Sequence, residues 1–249
     1  MTHAIRAGIG GWSFEPWRGI FYPAGLAQKK ELSFASRALS TIEVNGTYYS
    51  SFKRATWQAW HDETPDDFVF AVKASRYTTN RKVLAEAGPS IEKFLDQGLC
   101  ALGPKLGPIN WQFMPTKKFD ATDFAAFLSL LPKSWDGVRL RHAVEVRHPS
   151  FACDAFTELA RRHGAAIVYA QGDDVPEIDA RTAEFTYARI MKAREDLPLG
   201  YTPAQITALA KRTRAWSKHG DVFCYFISGA KVRNPAAAQA LAARVKKSH

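Results

Sequence analysis

The chain has few of the residues that build disulfide scaffolds or metal centres. Its 249 residues include three cysteines, Cys100, Cys153 and Cys224, which lie far apart and without metal-ligand spacing. An odd, scattered set argues against a disulfide framework or a zinc site and for a reducing, cytoplasmic setting. No apolar run approaches the roughly 18 residues of a membrane span, and a strand-like segment begins at Ile5, leaving no room for a signal peptide. The expectation is a protein that neither enters a membrane nor is secreted by that route. Also missing are a Gly-x-Gly-x-x-Gly turn after a strand, a Walker-type loop and a Gly-x-Ser-x-Gly elbow. Nucleotide-dependent and acyl-enzyme chemistry drop away with them, and no cofactor is implied.

Positive charge, by contrast, is abundant. Lys and Arg number 34 against 24 Asp and Glu, a net charge of +10, in a chain that is 46% hydrophobic and 23% charged. That composition is ordinary for a globular domain, while the charge favours anionic partners, either small phosphate-bearing molecules or nucleic acid. Three basic clusters, Arg161-Arg162-His163, Lys211-Arg212-Thr213-Arg214 and Lys246-Lys247, fall in amphipathic stretches or at the terminus. A solvated face is the simpler reading of each.

Short β-rich runs alternate with longer amphipathic ones from end to end, the pattern of repeated βα units around a parallel sheet. Eight strands are expected, at Ile5-Gly10, Thr41-Asn45, Phe68-Lys73, Ile109-Met114, Ala143-Arg147, Ala165-Ala170, Phe185-Ile190 and Val222-Ile227. The clearest helices span 122 to 131, 152 to 163, 203 to 218 and 235 to 246. Three of them open on cap or cap-plus-proline signals at Asp120/Thr122, Thr202-Pro203 and Asn234-Pro235. No linker or short-period repeat interrupts residues 1–249, so they read as one domain, a single (β/α)8 barrel of TIM type with its site at the carboxyl ends of the strands.

A period of two sorts each strand into a helix-facing and a lumen-facing side. In Thr41-Asn45, Ile42 and Val44 belong outside, which turns Glu43 and Asn45 inward; in Ala143-Arg147, the valines leave Glu145 and Arg147 inside. The same sorting places Lys73, Asn110, Gln112, Arg189 and Tyr225 in the lumen. Buried charges left unpaired cost several kcal/mol each, so these side chains must be paired or solvated. Two readings stay open: a salt-bridged core, Glu43 with Lys73 and Glu145 with Arg147 or Arg189, or a polar site gathered at the mouth. His148 is the one histidine near that mouth, and Lys73, Arg147 and Arg189 would repel an ion held by Glu43, Glu145 and His148, so no metal is expected. Trp12, Trp17, Tyr48 and Tyr49 fall in the first βα loops, where they either stack on a ligand ring or lie buried beneath those loops.

Five ordered segments carry a resemblance: Gly10-Gly-Trp-Ser13, Ile42-Glu-Val-Asn-Gly-Thr-Tyr-Tyr49, Phe70-Ala-Val-Lys-Ala-Ser-Arg76, Leu102-Gly-Pro-Lys-Leu-Gly-Pro108 and Ala143-Val-Glu-Val-Arg-His148. Together they resemble the YecE-like family, domain of unknown function 72, over nearly the whole chain. The resemblance implies a TIM barrel with a pocket and no assigned reaction. Where that family has an aromatic pair followed by Asn-Asn-Asp, this chain has Tyr225-Phe226 followed by Ile227-Ser228-Gly229, with Asn234 retained beyond.

The residues leave two function classes. The first is a metal-independent enzyme, a hydrolase or lyase acting on a small anionic or phosphate-bearing substrate. In it, Glu43, Lys73 and Glu145 carry acid–base or nucleophilic work, and Trp12, Asn45, Tyr48, Gln112, Arg147, His148, Arg189, Tyr225 and Asn234 surround the ligand. The second is a nucleic-acid binder that uses a basic, aromatic mouth without turnover. A glycosidase with Glu43 and Glu145 as its carboxylate pair is a third and weaker reading.

Overall fold

The computed structural model describes residues 3–246. Eight parallel strands form the barrel: β1 (Ile5–Gly10), β2 (Thr41–Val44), β3 (Val69–Lys73), β4 (Leu106–Gln112), β5 (His142–Glu145), β6 in two pieces (Ala166–Ile167 and Tyr169–Gln171), β7 (Phe185–Ile190) and β8 (Asp221–Phe226). Each pairs with its sequence neighbours, and β8 returns to β1 with Ile5 opposite Val222 and Ile9 opposite Phe226. Closure runs through the divided strand. The first piece of β6 pairs with β5 and the second with β7, and between them the Val168 N–H still reaches the Val144 carbonyl at 3.0 Å. The sheet therefore has no free edge in the barrel wall.

The helices are α1 (Glu31–Ala38), α2 (Arg54–Glu63), α3 (Arg76–Thr79), α4 (Gly88–Leu95), α5 (Ala121–Ser129), α6 (Asp154–Arg162), α7 (Pro203–Ser217) and α8 (Asn234–Lys246). Capping chemistry sets the expected starts. Asp120 accepts from the Asp123 N–H ahead of α5, and Thr202 with Gln205 forms a reciprocal capping box ahead of α7. No helix follows β6. Residues 172–184 carry Gly172, Asp173, Asp174 and Pro176 in place of an amphipathic run, and they return along the wall as a loop. Thr182 fastens that loop, accepting from the Ile167 N–H at 3.0 Å and donating to the Ala165 carbonyl at 2.7 Å. No helix of the described residues is long and apolar enough to cross a membrane.

Two local features depart from the expected elements. β4 begins at Leu106, three residues earlier than the sequence reading, because Pro108 sits where the register with β3 slips between Phe70 and Val72. A proline has no ladder N–H to give, and a bulge is where a strand tolerates one. A small hairpin joins Ser134–Trp135 to Val138–Arg139 through Asp136-Gly137, both at positive φ, the backbone a two-residue hairpin turn needs.

Burial separates two apolar layers. Between strands and helices lies the larger one, with Ile42, Val44, Phe70, Val72, Trp111, Val144, Ala188 and Phe226 on the strand side and Trp57, Phe94, Phe124 and Phe127 from the helices. Inside the barrel a smaller plug of Ala71, Ala143, Val168, Tyr187, Phe223 and Tyr225 fills the floor. Alternation along the strands thus places the expected residues on each side, and the polar lumen groups rest above this plug.

Candidate functional site

Five strands contribute to a single charged cluster in the lumen: Glu43 from β2, Lys73 from β3, Asn110 and Gln112 from β4, Glu145 with the following Arg147 from β5, and Arg189 from β7. Arg189 is its hub. One guanidinium nitrogen contacts both Glu145 oxygens at 2.7 and 2.8 Å, and another contacts Glu43 at 3.1 Å. Glu145 also accepts from Asn110 at 2.9 Å, from Gln112 at 2.7 Å and from Arg147 at 3.0 and 3.2 Å. The Tyr187 hydroxyl donates to Glu43. Both carboxylates are fully buried and Arg189 is nearly so. Of the expected pairings, Glu145 with Arg189 and with Arg147 is found, while Glu43 pairs with Arg189 instead of Lys73.

Burial alone would discourage ionisation of Glu145, but the charges of Arg189 and Arg147 outweigh it and hold its pKa at about 2. Burial works against Arg189 as well, and Glu145 and Glu43 nevertheless raise its pKa above the ordinary value. Tyr187 is pushed well up, by burial first and then by the neighbouring Glu43 charge, so it stays a neutral donor. Glu145 is therefore a fixed carboxylate with its lone pairs occupied, suited to orienting arginines rather than to donating a proton. Among the described residues no three His, Cys, Asp or Glu side chains come together to hold a metal ion.

Lys73 stands apart from this pairing. Its amine lies 4.0 Å from the centre of the Tyr48 ring, is 8% exposed as a residue, and makes no hydrogen bond or ion pair among the described residues. Burial, reinforced by the Arg189 charge, lowers its pKa from 10.5 to about 8 despite the opposing pull of Glu43 and Glu145. The cluster holds three cations and two carboxylates, and Lys73 is the surplus cation. Arg147 closes the outer side, with 29% of its side chain exposed.

The remaining expected site residues divide by position. Tyr48 is at the mouth, its hydroxyl near the Met114 sulfur at 3.8 Å and the Asn80 amide at 3.4 Å, while Tyr49 beside it is exposed. Asn45 follows β2 and turns its amide back to the Glu43 carbonyl at 3.4 Å. Trp12 leaves the mouth: its ring packs edge-on against Trp60 at 4.9 Å and Phe70 at 6.3 Å, between strands and helices. Trp17 is fully buried, its indole N–H bonded to the Lys231 carbonyl. In both cases large apolar area finds more contact under the loops than at a wet rim. The His148 ring is engaged in its own turn, accepting from the Ser150 N–H at 3.1 Å. Tyr225 lies deeper, its hydroxyl 2.8 Å from Thr41 in the lumen floor.

Asn234 is buried at the start of α8 and donates to the Ser228 carbonyl at 3.3 Å. It braces the turn after β8, where Ser228 and Gly229 both have positive φ. A side chain at Gly229 would meet the backbone of Ala193 and Met191 at 2.7 to 2.9 Å, so the Ile227-Ser228-Gly229 departure goes with a close backbone approach that only glycine permits. Two contributors were given no role in the expected site: Asn110, placed in the lumen by the strand alternation, reaches both carboxylates, and Tyr187, which the sequence reading passed over, caps Glu43. The signal for Tyr187 was present, since it lies two residues before Arg189 on the same strand face.

The chain is 27% identical over 163 residues to the protein YecE (UPF0759) of Escherichia coli K12, a match covering 64% of this chain and 54% of that one. It thus spans about half the length of the curated relatives it matches. A solved DUF72 family protein of Thermotoga maritima (TM1631) superposes with a TM-score of 0.81 at 22% identity, covering 98% and 100% of the two chains. One from Enterococcus faecalis (EF0366) gives 0.76 at 16% identity, covering 99% of each. A D-psicose 3-epimerase, at TM-score 0.55 and 12% identity over 97% of each chain, shares the TIM-type fold alone. The family model described as protein of unknown function DUF72 matches residues 6–249, and the chain belongs to that family.

Proposed function

We propose that the mouth is the active site of a metal-independent enzyme acting on a small anionic or phosphate-bearing substrate, with the Lys73 amine as its reacting base or nucleophile. The observation that carries this reading is the surplus Lys73: a desolvated amine with a pKa of about 8, unpaired, beside a charge network that is complete without it. An amine in that state has a substantial neutral fraction near neutral pH, as base or nucleophilic catalysis requires. Arg147, half-buried with its Nε and Nη2 on Glu145, is the contact for the substrate anion. Arg189, Glu43 and Glu145 position these two and do not react. Glu145, held ionised, cannot be a glycosidase's acid, and both carboxylates are fully buried against Arg189 instead of flanking an open cleft, which weakens that pairing.

Imine trapping tests the assignment. Pyridoxal 5′-phosphate offers an aldehyde and a phosphate together; the neutral amine adds to the aldehyde carbon, water leaves, and borohydride reduces the C=N bond to a stable amine. Peptide mapping is expected to find Lys73 labelled ahead of the exposed lysines, more at pH 8.5 than at 6.5, and less in Arg147→Ala. Labelling spread evenly over surface lysines would overturn the proposal. A second reading, a nucleic-acid strand stacking at the rim, is supported by Tyr49 and Tyr77, which are 67% and 61% exposed. Stacking does not need the neutral amine, so oligonucleotide affinity that is unchanged in Lys73→Met would favour this reading instead.

A further inference from the structure

A large concavity lies at the other end of the barrel. It occupies 1210 Å³ and is walled by the segments that enter β5, β6, β7 and β8, together with His3 before β1. Those segments carry Lys133, Arg139, Arg141, Arg161, Arg162 and Arg181, against only Glu184 and Asp221. Arg139 is paired with Glu184 at 2.7 Å and Arg141 approaches Asp221 at 3.8 Å. Arg161 is engaged by Glu158 on its own helix. The side chains of Lys133, Arg162 and Arg181 are exposed and make no hydrogen bond, ion pair or ring contact among the described residues. The Arg161-Arg162-His163 run, unremarkable as a helix end, thus lines a groove together with basic residues from three other segments.

We infer that this groove is a docking site for the phosphate backbone of a nucleic-acid duplex, separate from the mouth and independent of the function proposed for it. Size is the first reason, since pockets for small molecules occupy about 300–1,000 Å³ and this one extends beyond them. Shape is the second. A concave lining with cations from several segments suits a phosphate ridge and would not lie flat against a lipid surface. The third is what the walls lack: no Trp or Tyr lines the groove, and its one Phe, Phe185, is buried. Single strands are gripped by stacking bases on aromatic rings, whereas a duplex keeps its bases inside and offers phosphates alone. The binding inferred is therefore insensitive to sequence.

The test is fluorescence anisotropy with a labelled 20-base-pair DNA duplex at 50 and 200 mM salt. Each phosphate neutralised contributes about −0.9 to the slope of log K against log salt. The three unpartnered cations alone then account for about −2.7, or roughly a 40-fold loss of affinity between the two salt concentrations. The triple variant Lys133→Gln, Arg162→Gln, Arg181→Gln is expected to lose that part of the slope and to bind more weakly at 50 mM. A variant with the same charge change elsewhere, Lys29→Gln, Lys30→Gln, Lys53→Gln, and the mouth variant Arg147→Gln, are expected to bind like the parent. Equal weakening by both triple variants would show an unlocalised charge effect and overturn the site. So would tighter binding of the single strand, or binding of inorganic polyphosphate or phosphatidylserine vesicles without binding of the duplex.

Discussion

Replacing Lys73 with methionine should make the protein more stable, against the usual direction for a buried substitution. Methionine keeps an unbranched stem of similar length against Tyr48, so the packing is largely retained. What disappears is a cation that the fold disfavours. With a pKa of about 8 in place of 10.5, charging Lys73 in the folded protein costs about 3 kcal/mol more than in the unfolded chain. The two carboxylates and two arginines that remain are balanced and already in contact. For a chain of this length 1 kcal/mol moves the melting temperature by about 2–4 °C, so the variant should melt about 6–12 °C higher at pH 7. The sign of the pH dependence is also fixed. Between about 8 and 10.5 the unfolded chain binds the proton that the folded protein has released, so wild-type stability gains with rising pH and the difference from the variant closes. Circular-dichroism melts of both proteins at pH 7 and pH 10 measure this. A variant that melts lower than wild type at pH 7, or a difference that is the same at both pH values, would refute the account of Lys73 as a desolvated surplus charge.

The charged neighbours of Lys73 predict opposite effects. Arg189→Met strips Glu43 and Glu145 of their common counter-ion and should destabilise by about 3–5 kcal/mol, read from urea denaturation. Arg147→Ala should cost only about 1 kcal/mol, because Glu145 keeps Arg189, Asn110 and Gln112. In the same variant, any rise in wild-type melting temperature caused by phosphate should vanish, and a retained rise would remove Arg147 from the anion contact. Glu145 is held at about 2 in the folded protein, so its contribution is full above the ordinary carboxylate value and is lost as pH falls from about 4.5 through 2. Acid titration of Glu145→Gln should lack that part of the loss, and an unchanged acid limb would contradict the assignment.

Much of this arrangement was legible in the sequence because a strand has only two faces. Ile42 and Val44 are apolar, so Glu43 between them had to enter the lumen, and the same two-residue rule placed Lys73, Gln112, Glu145, Arg147 and Arg189. Pairing across the barrel was legible only in part: Glu145 with Arg189 was among the expected pairs, but the cation that Glu43 takes depends on which strands face one another and on side-chain reach. Glu43 and Lys73 are on adjacent strands and invite pairing on paper, yet Arg189, from β7, spans the lumen and takes both carboxylates with its planar fork. Trp12 shows the opposite limit. It follows β1 directly, but a loop residue is not bound by strand alternation, and its ring turns into the helix layer.

The distribution of charge across the barrel links these observations. A net charge of +10 implies anion attraction without saying where, and the sequence reading placed it at the mouth, where Arg147 and Arg189 converge. There, however, the two buried carboxylates are paired with Arg189 and Arg147, leaving Lys73 as the surplus cation. At the opposite end the cations outnumber the carboxylates six to two, and the side chains of three have no partner among the described residues. Long-range attraction depends on uncompensated charge, while chemistry depends on charge held in a defined state by its neighbours. The first condition is met at the amino-end groove and the second at the carboxyl-end mouth, so steep salt dependence and pH-dependent reactivity should separate cleanly between variants of the two faces.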